Sequence, residues 1–215
     1  MARKTHKSQA AARTAILDAA EKVITEVGPA GLRISAVAKE AGMAHPNVIH
    51  HFGSREGLIA AVANRMGLRA TDRITSAIKK AAEAGADEKL EALTEVLDTA
   101  FPGEEGRLVA WLHMSGVENA MDSNMKRILA VSQELRKTVD DNADAVNTNR
   151  LVGLITLALL GEVVYGSGIT EALGFDNSQP SGPDNFRAWL ASIVLGLNDD
   201  VLNTMTAATG KVRKK

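Results

Sequence analysis

Residues 32–62 read LRISAVAKEAGMAHPNVIHHFGSREGLIAAV. Ile34, Val37, Ala38 and Ala41 recur at helical spacing, which predicts a short helix over residues 35–41 with Ser35 as its expected cap. Gly42 ends it, and only Met43 and Ala44 separate it from a second short helix, residues 45–52. A break at Gly53-Ser54 precedes a long amphipathic run over residues 55–84. Two short helices about a glycine turn, with a helix on either side, form the plan of a helix-turn-helix. Leu17, Ile34, Val37, Met43, Val48, Phe52 and Leu58 are its expected core. The second short helix then presents His45, Pro46, Asn47, His50 and His51, polar or small residues on an element that fits the DNA major groove.

Working outward, Ile16, Ala20, Val23, Ile24 and Val27 form one face of a preceding helix over residues 10–27, stopped by Gly28-Pro29. Beyond the long run, the periodicity predicts helices near residues 87–100, 104–121, 124–145, 148–173 and 184–208. The stretch GFDNSQPSGPDN between the last two carries turn residues throughout. Aromatics are only 3% of the chain, and no alternating run is long enough for a strand, so the expected class is all-α. The organisation expected is a head (residues 1–57), a regulatory and dimerisation body (58–210) and a basic tail (211–215).

The 215 residues suffice for a small head and a larger body, and 45% hydrophobic with 24% charged residues is a globular balance. The absence of cysteine excludes disulfides, thiolate zinc sites and cysteine nucleophiles. The basic start lacks the apolar core of a signal peptide. No stretch reaches the roughly 18 apolar residues of a membrane-spanning helix; residues 151–169 come nearest, interrupted by Glu162 and glycines. A cytoplasmic protein with no membrane partner is the expectation. The net charge of −1 conceals polarity along the chain. Residues 1–60 hold eight basic and five acidic side chains, residues 61–210 thirteen and twenty-one, and the last five residues four basic ones. A positive head on a negative body suits a protein that sets one end against a polyanion.

The head resembles the TetR family of bacterial transcriptional regulators. Ala19-Ala20, Val37-Ala38, Ala41-Gly42-Met43 and His50-His51-Phe52 fall in that family's order and spacing, and Ser54-Arg55-Glu56-Gly57-Leu58 is similar to its Ser-Lys-Glu-x-Leu continuation. The resemblance covers about residues 12–62, roughly a quarter of the chain. It implies a dimeric repressor that binds a palindromic double-stranded operator and is released by a small molecule. Three positions depart from the pattern. Ala44 stands where a capping Ser or Thr is usual, with Pro46 still suited to the first turn. Ile49 replaces the customary phosphate-touching Tyr, and Arg33, with Ser35 nearby, stands in for a Thr before the preceding helix.

Asn47 has the amide that pairs bidentately with adenine, and His45 is the next candidate for a base edge. His51 matches the family position that meets phosphate, with His50 beside it at the surface. Arg33 or Ser35 can reach a phosphate, and Arg55 with the start of the fourth helix can hold another. The N-terminal Arg3, Lys4, Lys7 and Arg13 are candidate arm contacts. Adjacent His50 and His51 diverge by about 100° on a helix, and no acid completes a set with His45, so no metal is expected.

In the body, Leu151, Leu154, Ile155, Ala158, Leu159 and Val163 form one stripe, and Trp189, Leu190, Ile193, Val194, Leu197 and Val201 another. With Glu162 at its edge and Gly153, Gly161 and Ala188 permitting close approach, this pair is the expected dimer interface, a four-helix arrangement similar to the family's. Closing the monomer's own core is the other use such stripes can have. Trp111, His113, Met114, Val117, Met121, Met125 and Tyr165 are the expected lining of a pocket for a small apolar or amphipathic effector, with Ile128, Leu129, Leu93, Leu97 and Phe101 as further walls. No compact nucleophile–base set, phosphate loop or cofactor motif points to an enzyme. An activator, a nonspecific DNA-binding protein and a helical interaction module are the competing readings.

Overall fold

The computed structural model describes residues 2–114, 120–139, 143–174, 185–197 and 199–204. Among them the regular elements are all helical: α1 (Ala2–Gly31), α2 (Ile34–Glu40), α3 (His45–Phe52), α4 (Arg55–Ala82), a 3-10 turn (Ala86–Glu88), α5 (Lys89–Ala100), α6 (Gly103–Met114), α7 (Ala120–Val139), α8 (Ala145–Leu173) and α9 (Phe186–Gly196). They divide into two compact units at Arg69 and again at Arg107 and Met121. The first holds α1–α3, the first half of α4 and most of α6, so it reaches past the boundary expected at residue 57. The second holds the rest of α4, α5, most of α7, α8 and α9.

In the first unit, Ile16, Ala20, Val23 and Ile24 of α1 are buried, as their spacing predicts. Val27 is not, because Gly28 (φ 72°, ψ 161°) kinks the helix immediately after it. α2 starts one residue earlier than expected, with extended Arg33 (φ −119°, ψ 134°) as its N-cap, so Ser35 lies inside the first turn rather than capping it. The α2–α3 turn is a Schellman close: the Met43 amide donates to the Ala38 carbonyl (2.9 Å) and the Gly42 amide to Lys39 (3.2 Å). Gly42 sits at φ +63°, a conformation that a side chain disfavours. Val37, Val48, Leu58 and Val62 are fully buried behind this turn, whereas Met43 and Phe52 are only half-buried. Gly57 lets α3 and α4 meet closely, since a Cβ there would collide with the Phe52 carbonyl. Ion pairs from Arg65 to Asp18 and Glu21 (2.7 Å each) and from Arg69 to Glu21 (2.7 Å) tie α4 to α1.

The second unit packs around Leu97 of α5, Leu159 of α8 and Leu190 and Ala191 of α9. Arg187 crosses this core: it donates to Glu162 (2.8 and 3.0 Å) and to the carbonyls of Leu97 (2.9 Å) and Phe101 (3.0 Å), closing the C-terminal end of α5. α9 starts where the Asn185 side chain accepts from the amides of Arg187 and Ala188, and stops at Leu197 (φ −91°, ψ 78°). Residues 199–204 are helical again, so the unbroken helix expected over 184–208 is interrupted. Judged by mean hydropathy (1.3) rather than by consecutive apolar residues, Ala145–Gly166 of α8 is long and apolar enough to cross a membrane, contrary to the expectation above. Averaging tolerates isolated residues such as Glu162, which interrupt a consecutive count. The inward face of this helix carries Leu159 into the core.

Candidate nucleic-acid interface

α3 is short but firmly backed. Val48 is buried, Ile49 and His51 are half-buried, and His45, Pro46, Asn47 and His50 are exposed on the opposite side. Its N-cap, Ala44, is extended (φ −74°, ψ 142°) and offers no side-chain cap; Pro46 in the first turn has no amide to leave unpaired there. The free N-terminal end and the polar outer face therefore point away from the unit's core. Among the sequence candidates, this helix gathers His45, Pro46, Asn47, His50 and His51, while Arg33 and Ser35 stand exposed at the start of α2. The His50 and His51 rings meet edge to face at 5.6 Å, and among the described residues no group of three or more His, Asp or Glu is placed to hold a metal.

Two arginines do work that their sequence positions did not reveal. Arg13 of α1 donates to the His51 carbonyl (2.9 Å) and lies over the Phe52 ring (4.3 Å), pinning the C-terminal end of α3. Arg55 donates to the carbonyls of Leu32 (2.9 Å) and Ala30 (3.0 Å), bracing the α1–α2 link. The start of α4 is internally occupied as well. Ser54 Oγ accepts from the Gly57 amide (3.0 Å), and the Glu56 carboxyl is held below its usual range by its own backbone amide and then by the Ser54 hydroxyl. Arg55 and this helix start are thus committed within the head rather than open to a phosphate. Backbone carbonyls as partners leave no trace in a one-dimensional pattern.

The second unit holds a half-open cavity of about 210 Å³, walled by Ile74 and Ile78 of α4, Leu93, Val96 and Leu97 of α5, Met125 and Ile128 of α7, Leu151, Ile155 and Leu159 of α8, and Val194 of α9. Of the pocket residues expected from sequence, Met125 lines it. Tyr165 is 65% exposed on the outside of α8, and Trp111 belongs to the first unit and is not a lining residue of the cavity. His113, Met114 and Met121 belong to helical backbone whose side chains are outside the described set, and Val117 lies outside the described residues. Periodicity recognised the further walls Leu93, Leu97, Phe101 and Ile128 as apolar, but only the packing brings them together.

Beside the cavity, Arg136 donates to Asp199 (2.9 Å) and to the Thr148 hydroxyl (3.2 Å), and Asn147, fully buried, donates to Asp199 (2.9 Å) and Asn203 (3.1 Å). Burial works against ionising Asp199, yet hydrogen bonds from Asn147 and the Asp144 amide, with the Arg136 charge, hold its carboxyl below the usual range. Asp98 behaves oppositely: burial raises it, Arg187 opposes that, and the Glu162 charge adds to the rise.

The expected dimerisation residues divide between two faces. Leu151, Leu159 and Val194 turn inward to the core or cavity, with Ile155 and Ala158 packed beside them, and Glu162 is engaged by Arg187. Leu154, Trp189 (55% exposed) and Ile193 face outward, and Leu197 is half-buried at the end of α9. The outward face continues through Leu157 (72% exposed), Val164, Tyr165 and Ile169. Sequence reading missed Leu157 because α8 is apolar nearly all round, so periodicity alone does not say which stripe faces the core.

Residues 16–62 match the family described as bacterial regulatory proteins, tetR family. The HTH-type transcriptional regulator BetI of Rhizobium meliloti is 28% identical over 202 residues, covering 92% of this chain and 91% of its own. Similar folds are found in a crystal structure described as a TetR-family transcriptional regulator from Mesorhizobium loti (TM-score 0.67, 17% identity, 87% of this chain and 96% of that one). The multidrug binding protein EbrR complexed with imidazole (0.59, 19%, 85% and 93%) and the fatty acid degradation regulator FadR of Bacillus halodurans (0.55, 19%, 85% and 91%) are further likenesses of fold.

Proposed function

We propose that this chain is a TetR-family helix-turn-helix transcriptional regulator, a dimeric, cytoplasmic repressor whose grip on its operator is loosened by a small molecule held in the body. The observation that carries the reading is α3: a helix of groove-fitting width, rigid from behind through Val48 and clamped by Arg13, with Asn47 and His45 free on its outer side. Asn47 reads a base edge, His45 assists it, and His51 and Arg33 meet the backbone, which positions the helix without reading sequence.

One such helix selects weakly. Two, held by the outward faces of α8 and α9, read two half-sites related by the dimer axis and separated by about 34 Å or a multiple of it. Leu154, Leu157, Trp189 and Ile193 supply the apolar surface for that pairing. The cavity is the effector site. A ligand that prefers a body conformation in which the heads are wrongly spaced draws population from the operator-bound state. α4 contributes residues to both units, so it is the element through which that preference would be expressed.

Capture of genomic fragments by the purified protein tests the DNA half of the proposal and returns the operator. A cognate effector then weakens binding to that operator by at least about tenfold, or about 1.4 kcal/mol of coupling. Fragments recovered without any shared sequence would leave a nonspecific DNA-binding protein, and stimulated transcription with purified polymerase would make it an activator.

A further inference from the structure

We infer that the body cavity takes a small uncharged apolar molecule, about the size of a substituted benzene, and rejects both carboxylates and ammonium ions of the same shape. The inference rests on the reading of this cavity as a ligand site and goes beyond it to the class of ligand. Three observations carry it.

The first is size. About 210 Å³ is somewhat more than the roughly 150 Å³ known to hold benzene in an apolar protein cavity, so the walled part of this half-open cavity fits a molecule of that size. The second is the wall. Among the described residues, the lining contains no Asp, Glu, Lys or His, so a cation would enter without a counter-charge. The third concerns the polar side chains that do reach the lining. Thr148 donates to the Asp144 carbonyl (3.0 Å) and Thr156 to Val152 (2.8 Å). Arg136 is the lining's one positive charge among the described residues, and its two terminal nitrogens are engaged by Thr148 and Asp199. A carboxylate would meet an Arg136 whose charge is already neutralised by Asp199 (2.9 Å), which Asn147 and the Asp144 amide hold in place (2.9 and 3.3 Å). What remains facing the ligand is hydrocarbon, with Ser132 able to meet a single polar atom.

A matched series tests this on the full chain: ethylbenzene, benzylammonium and phenylacetate, titrated by calorimetry and by the methyl resonance of Met125, which lines the cavity. Ethylbenzene is expected to bind saturably and shift Met125, with both ions weaker by roughly a hundredfold or more, because the cation finds no counter-charge and the anion meets an Arg136 already paired with Asp199. Val152→Phe, which fills the cavity from its α8 wall, is expected to abolish ethylbenzene binding. Should that variant fail to fold, saturation of the Met125 shift in the wild type still decides the site. Binding of either ion within tenfold of ethylbenzene overturns the inference, as does no binding by any of the three. Operator release is read separately: ethylbenzene that binds without releasing DNA leaves this inference intact and refutes the coupling proposed above.

Discussion

Replacing Arg187 by Met keeps most of the side chain's length and removes only the guanidinium. In the native protein that group is 12% exposed and ties α9 to Glu162 of α8 and to the Leu97 and Phe101 carbonyls at the end of α5. Breaking a fully buried ion pair from one side costs about 3–5 kcal/mol, whereas an exposed pair is worth about 0–1 kcal/mol. Glu162 keeps 27% of its side-chain surface, so part of its charge is still hydrated after the change. The two carbonyls lose charged donors worth roughly 1.5–3 kcal/mol each when fully buried. Allowing for water at this half-open site, Arg187→Met is expected to destabilise by about 2–4 kcal/mol. Urea unfolding followed by circular dichroism, at fixed protomer concentration because the proposed dimerisation would add to stability, measures it as a lower midpoint at unchanged slope. Adding Glu162→Leu removes the orphaned carboxylate and is expected to restore part of the loss. A single-variant loss below about 0.5 kcal/mol, the range of ordinary surface changes, would refute the claim that this guanidinium locks α5, α8 and α9 together.

Asn47→Ala is expected to cost about 1–3 kcal/mol per half-site and to relax preference at one base position, whereas His51→Ala should weaken all sequences alike; titrations on operator and scrambled duplexes separate the two. Leu157→Asp places a charge on the outward face of α8 and should yield a folded monomer by sedimentation, while unchanged dimers would rule that face out as the interface. Asp199 titrates below its ordinary value of 3.8 in the folded chain, so its contribution is present above that pH and is lost as pH falls through the lowered value. Asp199→Asn should therefore flatten the acid side of the stability profile relative to wild type, measured by urea midpoints from pH 5 downward. Asp98, raised by burial, works in the other direction, with its contribution present below 3.8 and lost as pH rises; it is common to both proteins and cancels from the comparison.

Much of the head was legible in one dimension because its signals are local. Gly42 marks a left-handed turn, the spacing of Ile34, Val37 and Ala38 marks a buried face, and four residues between two short helices leave few geometries. The exposed outer side of α3 followed from the same spacing. The sites that escaped are those made by distant segments: Arg13 reaching the end of α3, Arg55 bracing a link more than twenty residues earlier, and a cavity assembled from α4, α5, α7, α8 and α9.

Helix spacing and turn chemistry depend on neighbours within a few positions, so order, element type and the head's plan are written along the chain. Which side of an all-apolar helix such as α8 meets the core depends instead on partners from other segments. Leu159 points inward because Leu97 and Leu190 are there to receive it, and Leu157, two residues away, is left outside. No count along the chain distinguishes those two leucines; packing does.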